Sequence, residues 1–320
     1  VLNTCCIREN ADNRLYGALG NLKTLKSERP DIQIAVGGCL AQKDRELIQQ
    51  RAKHVDVVFG THNVQNAVKL LKKSETEGPI IEILEELVAE DNEAFPSALP
   101  VRREVDHRAW ITLQIGCDNT CTYCIVPSVR GPEISRPFGQ LLDEARSFAE
   151  QGVTEVTLLG QNVNSYGRDL TKKLKAQNPS KEDAFQVGSL WLEASRRKIK
   201  PLFADLLKTV GSIEGIERVR FISPHPKDLT LEIVEAMSET ENVCEHLHLP
   251  LQSGSDSILS AMHRGYTSER FLKKVQQARS GIEDLSVTTD LIVGFPGESE
   301  KDFEETLAVV AEAQFDAAYT

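Results

Sequence analysis

The stretch Ala109-Trp110-Ile111-Thr112-Leu113-Gln114-Ile115-Gly116-Cys117-Asp118-Asn119-Thr120-Cys121-Thr122-Tyr123-Cys124 decides how this chain is read. Residues 109–115 have the apolar, β-branched and aromatic character of a buried strand. Gly116 ends the strand, and the next eight residues deliver three thiols in the pattern C-x3-C-x2-C. A [4Fe–4S] cube is held by thiolates on its irons, and a compact loop that supplies three of them leaves one iron open to a substrate or cofactor. Zinc is the rival reading. A structural zinc site wants four ligands, and no Cys or His follows in the next twenty residues. The spacing therefore points to an iron–sulfur centre.

Downstream of this loop the chain alternates between strand and helix patterns. Strands are expected at 109–115, 155–159, 217–222, 245–250 and 286–293, with a sixth starting at Phe315. Helices are expected at 138–150, 202–210, 230–238, 268–279 and 299–312. Six βα units predict a partial (β/α)6 barrel with its site at the carboxyl ends of the strands, where the thiol loop lies. Residues 166–201 interrupt the series. This stretch is basic, with nine bases and four acids from Arg168 to Lys200, and it is expected to be a mobile insertion (168–200).

Upstream, residues 1–75 show a second βα alternation, with strands expected at 33–36 and 55–59 and helices at 11–28, 42–51 and 63–73. This predicts a small flavodoxin-like parallel sheet, cut at its first strand, of which Val1-Leu2-Asn3 is the end. Asn3-Thr4-Cys5-Cys6 and Gly37-Gly38-Cys39 follow two of its strands, and carboxyl ends of parallel strands are where open α/β sheets bind ligands. Between the two series, residues 76–106 read as an acidic linker with a short strand near 80–84. From Glu75 to Asp106 there are ten acids and two bases.

The net charge of −11 is unusual for a nucleic-acid binder. Seven cysteines, an odd number and mostly scattered, argue against a secreted disulfide framework and for a reducing compartment, hence the cytoplasm. No apolar run approaches the roughly 18 residues that cross a bilayer, so no membrane partner and no secretory leader are expected. The chain does not begin with Met, and it is expected to be a piece of a longer protein.

The thiol spacing resembles the radical S-adenosylmethionine (SAM) signature. The resemblance implies that the open iron chelates the SAM amino and carboxylate groups, and that an electron from the cluster cleaves SAM to a 5′-deoxyadenosyl radical. Tyr123 occupies the aromatic position that packs near the adenine; capping of the loop is its bland alternative. Further motifs narrow the match: Asn3-Thr4-Cys5 with Ile7-Arg8-Glu9-Asn10-Ala11, Gly37-Gly38-Cys39-Leu40-Ala41-Gln42, Pro127-Ser128-Val129-Arg130-Gly131-Pro132-Glu133, Leu159-Gly160-Gln161-Asn162, Ser223-Pro224-His225-Pro226, Leu249-Pro250-Leu251-Gln252-Ser253-Gly254-Ser255-Asp256 and Gly294-Phe295-Pro296-Gly297-Glu298. As a set these resemble the methylthiotransferases, over nearly the whole chain except the insertion. Arg8-Glu9 and Gly131-Pro132-Glu133 favour the branch that converts N6-isopentenyladenosine at tRNA position 37 to its 2-methylthio derivative. The other branches act on a ribosomal-protein aspartate or on threonylcarbamoyladenosine. A non-catalytic iron–sulfur electron carrier is the alternative outside the family.

This resemblance implies two [4Fe–4S] clusters, SAM, an external electron donor and an isopentenylated tRNA, with the chain acting as a monomer. Cys117, Cys121 and Cys124 would hold the first cluster. Cys5 and Cys39 match two ligands of an auxiliary cluster whose third ligand, like an RNA-binding TRAM domain, is expected beyond this chain. Cys6, adjacent to Cys5 and so facing the other way, falls outside the ligand set, and Cys244 reads as a core thiol. The implied SAM contacts are Tyr123, Arg136 (to the carboxylate), Gln161 and Asn162 (near the amino group), Ser223, Gln252 and Ser253 (ribose and carboxylate), and Gly294 to Glu298 (adenine). His225, His246 and His248 read as structural or substrate-lining. Lys172, Lys173, Arg196, Arg197 and Lys198 of the insertion are the candidate phosphate contacts.

Overall fold

The computed structural model describes residues 1–6, 9–84, 103, 105–176, 185–187, 190–192 and 200–320. These fall into two compact units, Val1–Val101 with Cys124–Pro132 and Arg102–Tyr123 with Glu133–Thr320.

The first unit is a parallel four-stranded sheet in the order β1 (Leu2–Asn3), β2 (Ala35–Gly37), β3 (Val57–Phe59), β4 (Ile80–Glu82). Its helices are α1 (Glu9–Glu28), α2 (Cys39–Asp44), α3 (Glu46–Arg51), α4 (Ala67–Glu77) and α5 (Val126–Arg130). Successive strand residues point to opposite faces. Val36 and Val58 therefore join Leu15, Leu19, Leu40 and Ile48 of α1 to α3, with Val129 of α5, on one side. Ala35, Val57 and Phe59 join Leu70 of α4 on the other. Two expectations are corrected here. The helix expected at 42–51 begins at Cys39 and breaks at Arg45, whose φ of 47° lies in the left-handed region. The strand near 80 belongs to this sheet, because Ile80 and Ile81 pair with Val57 and Val58; the rest of the expected linker, 85–102, lies outside the described residues.

The second unit begins with β5 (Arg108–Thr112) and β6 (Gln114–Ile115), which pairs antiparallel with β7 (Ile134–Ser135). There follow α6 (Phe138–Glu150), β8 (Glu155–Leu159), α7 (Arg168–Ala176), the antiparallel pair β9 (Phe185–Val187) and β10 (Leu190–Leu192), α8 (Phe203–Gly211), β11 (Arg218–Phe221), α9 (Leu231–Glu239), β12 (His246–His248), α10 (Asp256–Ala261), α11 (Ser268–Gly281), β13 (Ser286–Asp290), α12 (Glu300–Ala313) and β14 (Ala317–Tyr319). The parallel runs β5-β8-β11 and β12-β13-β14 are joined by a parallel bridge from Val219 to Val243. Six parallel strands with helices between them are the partial (β/α)6 barrel expected. The helices face its core through i, i+3, i+4, i+7 sets: Phe138, Leu141, Leu142 and Ala145 on α6, and Phe203, Leu206, Leu207 and Val210 on α8, all buried. Each such Leu or Phe contributes about 2–3 kcal/mol by leaving water.

The insertion opens on α7 and carries the β9–β10 pair, so its described parts have regular structure. Its neck is closed by Leu202 N–H donating to the Tyr166 carbonyl (2.7 Å) and by the Thr171 hydroxyl donating to the Lys200 carbonyl (2.9 Å). Arg196, Arg197 and Lys198 lie outside the described residues.

Candidate functional site

In the barrel unit the strands run into irregular loops at their carboxyl ends. The thiol loop from Gly116 to Cys124 carries no helix or strand. Gly116 starts it at φ 80°, and long-range bonds made by side chains and backbone hold it. Asp118 accepts from Glu133 N–H (3.0 Å), and Asn119 accepts from the Lys227 ammonium (2.6 Å) while its own N–H points at Cys117 Sγ (3.5 Å). Thr122 donates its N–H to the Met262 carbonyl (3.2 Å) and its hydroxyl to the Ala261 carbonyl (3.1 Å), both at the end of α10. Cys117 is buried and Cys121 half-buried, and Arg264 Nη1 donates to Cys121 Sγ at 3.4 Å. The Tyr123 ring stands edge-on to Phe295, 6.5 Å between centroids, which brings two of the expected adenine-lining stretches together.

Behind the loop lies a buried polar layer. Asn162 donates to Asp228 Oδ2 (2.8 Å) and to Glu133 Oε1 (3.4 Å), and Arg168 pairs with Asp228 Oδ1 at 2.6 Å. Burial alone would raise the Asp228 carboxyl, but the Asn162 amide and the Arg168 guanidinium outweigh it and hold it below the usual carboxylate range. At Glu133 burial, with the Asp118 charge, outweighs the Ser165 hydrogen bond and the Arg168 charge and raises the carboxyl. His225 is fixed by a reciprocal pair with Asn164: its N–H donates to Asn164 Oδ1 (2.8 Å), and Asn164 Nδ2 donates to its carbonyl (3.0 Å). Burial, helped by the Arg264 charge, lowers the imidazole to about 3. The ring is therefore neutral, and since Nδ1 accepts from Lys227 N–H (3.1 Å) its proton sits on Nε2.

The sequence-predicted SAM contacts divide. Gln161 stands at the end of β8 with a buried Oε1 that has no hydrogen-bond partner among the described residues. Ser223 and Gln252 lie in the segments that follow β11 and β12, at φ 62° and 70°. Non-glycine residues in that region are strained and cluster at functional sites. Gly294 and Glu298 form one turn, since the Gly294 and Phe295 N–H groups both donate to the Glu298 carboxylate. Three of the expected contacts are engaged within the protein. Arg136, 4% exposed, is committed to Glu144 Oε2 (2.5 Å) and the Thr112 carbonyl (3.1 Å), because a buried guanidinium takes the nearest carboxylate. Asn162 is turned into the polar layer. Ser253 is fully buried against the Thr306 hydroxyl of α12 (3.2 Å). His246 and His248 bond to Thr288, and His248 also to Asp290, as structural residues do. Arg264 and Asp228 have no signal in the sequence, because a buried charge carries no sequence period.

In the first unit Thr4 bridges the two thiol segments, its N–H donating to the Gly37 carbonyl (3.2 Å) and its carbonyl accepting from Leu40 N–H (3.3 Å). This brings the two thiol segments together, with Cys6 and Cys39 buried in one cluster and Cys5 exposed. Gly38, at φ 93°, is required there: a Cβ would meet Asn3 Oδ1 at 2.2 Å and the Thr4 carbonyl at 2.8 Å. Cys5 is exposed and Cys6 buried, the opposite faces expected of neighbours. Burial, with the nearby Cys39 and Cys5 thiols, pushes the Cys6 thiol up to about 11. Cys244 is half-buried, and burial raises it too. Among the described residues no three His, Cys, Asp or Glu side chains are gathered at metal-binding spacing.

The profile of the Radical SAM superfamily matches residues 111–310. The chain belongs to the radical SAM superfamily. The profile of the Uncharacterized protein family UPF0004 matches residues 1–60. The chain is 49% identical over its whole length to a tRNA-2-methylthio-N(6)-dimethylallyladenosine synthase of Nocardia farcinica, of which it covers 59%, and 51% identical to one of Mycobacterium marinum, of which it covers 57%. It thus spans somewhat more than half the length of the curated relatives it matches. Among solved structures, the radical SAM methyltransferase TsrM of Kitasatospora setae superposes with a TM-score of 0.61 at 14% identity, over 94% of this chain and 57% of that one. The cobalamin-dependent radical SAM enzyme OxsB gives 0.57 at 14% identity, over 97% and 42%. These likenesses bear on the fold. The residues present suit the radical SAM group by their chemistry: thiols are the donors an iron–sulfur centre takes, a guanidinium stands at one of them, and Gln161 offers a buried acceptor.

Proposed function

We propose that this chain is the cluster-bearing part of a tRNA methylthiotransferase that adds a methylthio group to C2 of N6-isopentenyladenosine at tRNA position 37. The observation that carries the reading is the C-x3-C-x2-C run of a radical SAM superfamily chain that is about half identical throughout to proteins named for that reaction. Cys117, Cys121 and Cys124 would hold one [4Fe–4S] cluster, and Cys5 and Cys39 would supply two ligands of a second. When bound, the clusters and SAM supply a carbon radical, which is what an unactivated adenine C–H bond requires, and a methylated sulfur to replace the hydrogen. The chain's own residues bind and orient. Gln161, Ser223 and Gln252 offer polar groups after three strands, Tyr123 and Phe295 offer an aromatic corner for a purine, and the Glu298-locked turn fixes Phe295. Lys172 and the insertion's other bases offer phosphate contacts. Seven cysteines, an odd number and mostly scattered, suit a reducing, cytoplasmic setting, in which the chain would act as a monomer with an external electron donor.

The test uses the full-length protein, reconstituted anaerobically with iron and sulfide, with SAM, reductant and isopentenylated tRNA, and nucleosides read by mass spectrometry. A 2-methylthio product that disappears on Cys121→Ala is the expected result. 5′-Deoxyadenosine without a methylthiolated nucleoside would overturn the tRNA assignment and point to a protein substrate.

A further inference from the structure

We propose that Arg264 is a positioning residue that sets the electron affinity of the cluster held at Cys121, by donating a hydrogen bond from a buried guanidinium to that sulfur. The proposal rests on the reading that Cys117, Cys121 and Cys124 hold an iron–sulfur cluster.

Three observations carry it. First, Arg264 is 5% exposed, and among the described residues no carboxylate lies within ion-pair distance of it. A buried cation without a counter-charge is costly. Its partners are the Tyr266 hydroxyl from Nε (3.1 Å), the Pro250 carbonyl from Nη2 (3.1 Å), the Tyr266 ring (5.4 Å to the centroid) and Cys121 Sγ from Nη1 (3.4 Å). Of these only the cysteine sulfur becomes anionic when a cluster binds. Second, the guanidinium is aimed by a built turn. After α10, His263 and Gly265 both take left-handed backbone, at φ 56° and 72°, and Arg264 N–H donates to the Leu259 carbonyl (2.9 Å). Third, the same turn grips the thiol loop next to Cys121, through the two bonds from Thr122 to the Ala261 and Met262 carbonyls. One short segment thus fixes the sulfur's position and supplies the charge beside it.

The consequence is electrostatic. One electron from an external reductant enters the cluster, whose net charge becomes one unit more negative. Arg264 stays protonated, and no proton moves. A fixed positive charge and an N–H···S bond both favour the more negative state, and hydrogen bonds to the sulfurs together with net charge are what set such potentials.

The experiment is an EPR-monitored redox titration of the full chain carrying Cys5→Ala and Cys39→Ala, so that iron held by those thiols does not contribute. Arg264→Gln is expected to lower the reduced fraction at a fixed potential about tenfold, a shift of ~59 mV to more negative values for one electron. Arg264→Lys, which keeps the charge, is expected to retain most of the affinity. An unchanged midpoint in Arg264→Gln at equal iron and sulfide content overturns the proposal, as does an equal shift in both variants. Where Arg264→Gln fails to fold or load, pulsed EPR of the reduced, [15N]arginine-labelled protein decides. A 15N coupling that vanishes in Arg264→Lys supports the proposal, and no coupling overturns it. Full iron loading in Cys117→Ala would instead sink the cluster assignment itself.

Discussion

The two units place thiols at the carboxyl ends of parallel strands by different means. In the first, Cys5 and Cys39 are delivered by secondary structure. Two paired strands end side by side, one backbone bridge at Thr4 joins them, and Gly38 lets the chain turn into α2. In the barrel unit, Cys117 and Cys121 ride on a loop without regular structure, held by Lys227, Glu133, Ala261, Met262 and Arg264. The difference teaches that a metal-ligand position can be a property of the backbone or of the side chains around it. Backbone delivery is brittle at one glycine. Side-chain delivery spreads over many weak contacts and tolerates the loss of any one.

The sharpest test of that contrast removes the thiols. Cys121→Ala is expected to abolish both 5′-deoxyadenosine and methylthiolated product. Cys39→Ala is expected to keep the first and lose the second. Equal effects on both products would erase the division of labour between the units, and mass spectrometry of the two products decides. Next in size is Gly38→Ala, where left-handed backbone and a Cβ inside contact distance together predict a loss of about 3 kcal/mol in denaturant unfolding of the first unit. Gly265→Ala in the barrel unit also has positive φ, but its Cβ would meet only Lys227 Cδ at 3.5 Å, so about 1–2 kcal/mol is expected. Comparable losses at both glycines would break the comparison.

His225 predicts a pH effect confined to the barrel unit. Its folded value of about 3 lies below the ordinary 6.5. The unfolded chain therefore binds the extra proton first as pH falls, and stability present above 6.5 is lost on the way down to 3. Between pH 6.5 and 4.5 the loss is about 2 kcal/mol. Arg264, Lys227 and Lys274 face the ring with charge of the same sign as its imidazolium, and Asp228 opposes them. His225→Asn should flatten this acid limb, seen by urea unfolding at the two pH values. The smallest effect is expected from Thr122→Val, which removes one of two bonds from loop to turn, about 1 kcal/mol; a loss of 3 kcal/mol or more would show that the loop hangs on that single contact.

Much of the fold was legible. The apolar periods placed α6 at its observed bounds and put every barrel strand within a few residues, because a helix or strand that buries one face must repeat that face locally. Breaks inside elements were not legible. The helix expected at 42–51 splits at Arg45, and the strand expected at 109–115 divides at Leu113 between a parallel and an antiparallel partner. Both depend on what packs alongside. At the site, the thiols, Gln161 and the strained Ser223 and Gln252 follow the strands expected of them. Arg136, Asn162 and Ser253 turn inward instead, since the direction of a side chain after a strand is set by neighbours distant in sequence: Glu144, Asp228 and Thr306.

By itself, the sequence determined the donor chemistry and the architecture. Thiols eight residues apart or fewer are bound to share a loop, and hydrophobic period is a local property. Only the tertiary structure decided which charges surround those thiols. Arg264 lies 143 residues from Cys121, and Asp228 lies 66 from Asn162. A buried charge is stabilised by whatever the fold brings against it, and nothing in the neighbouring residues records that.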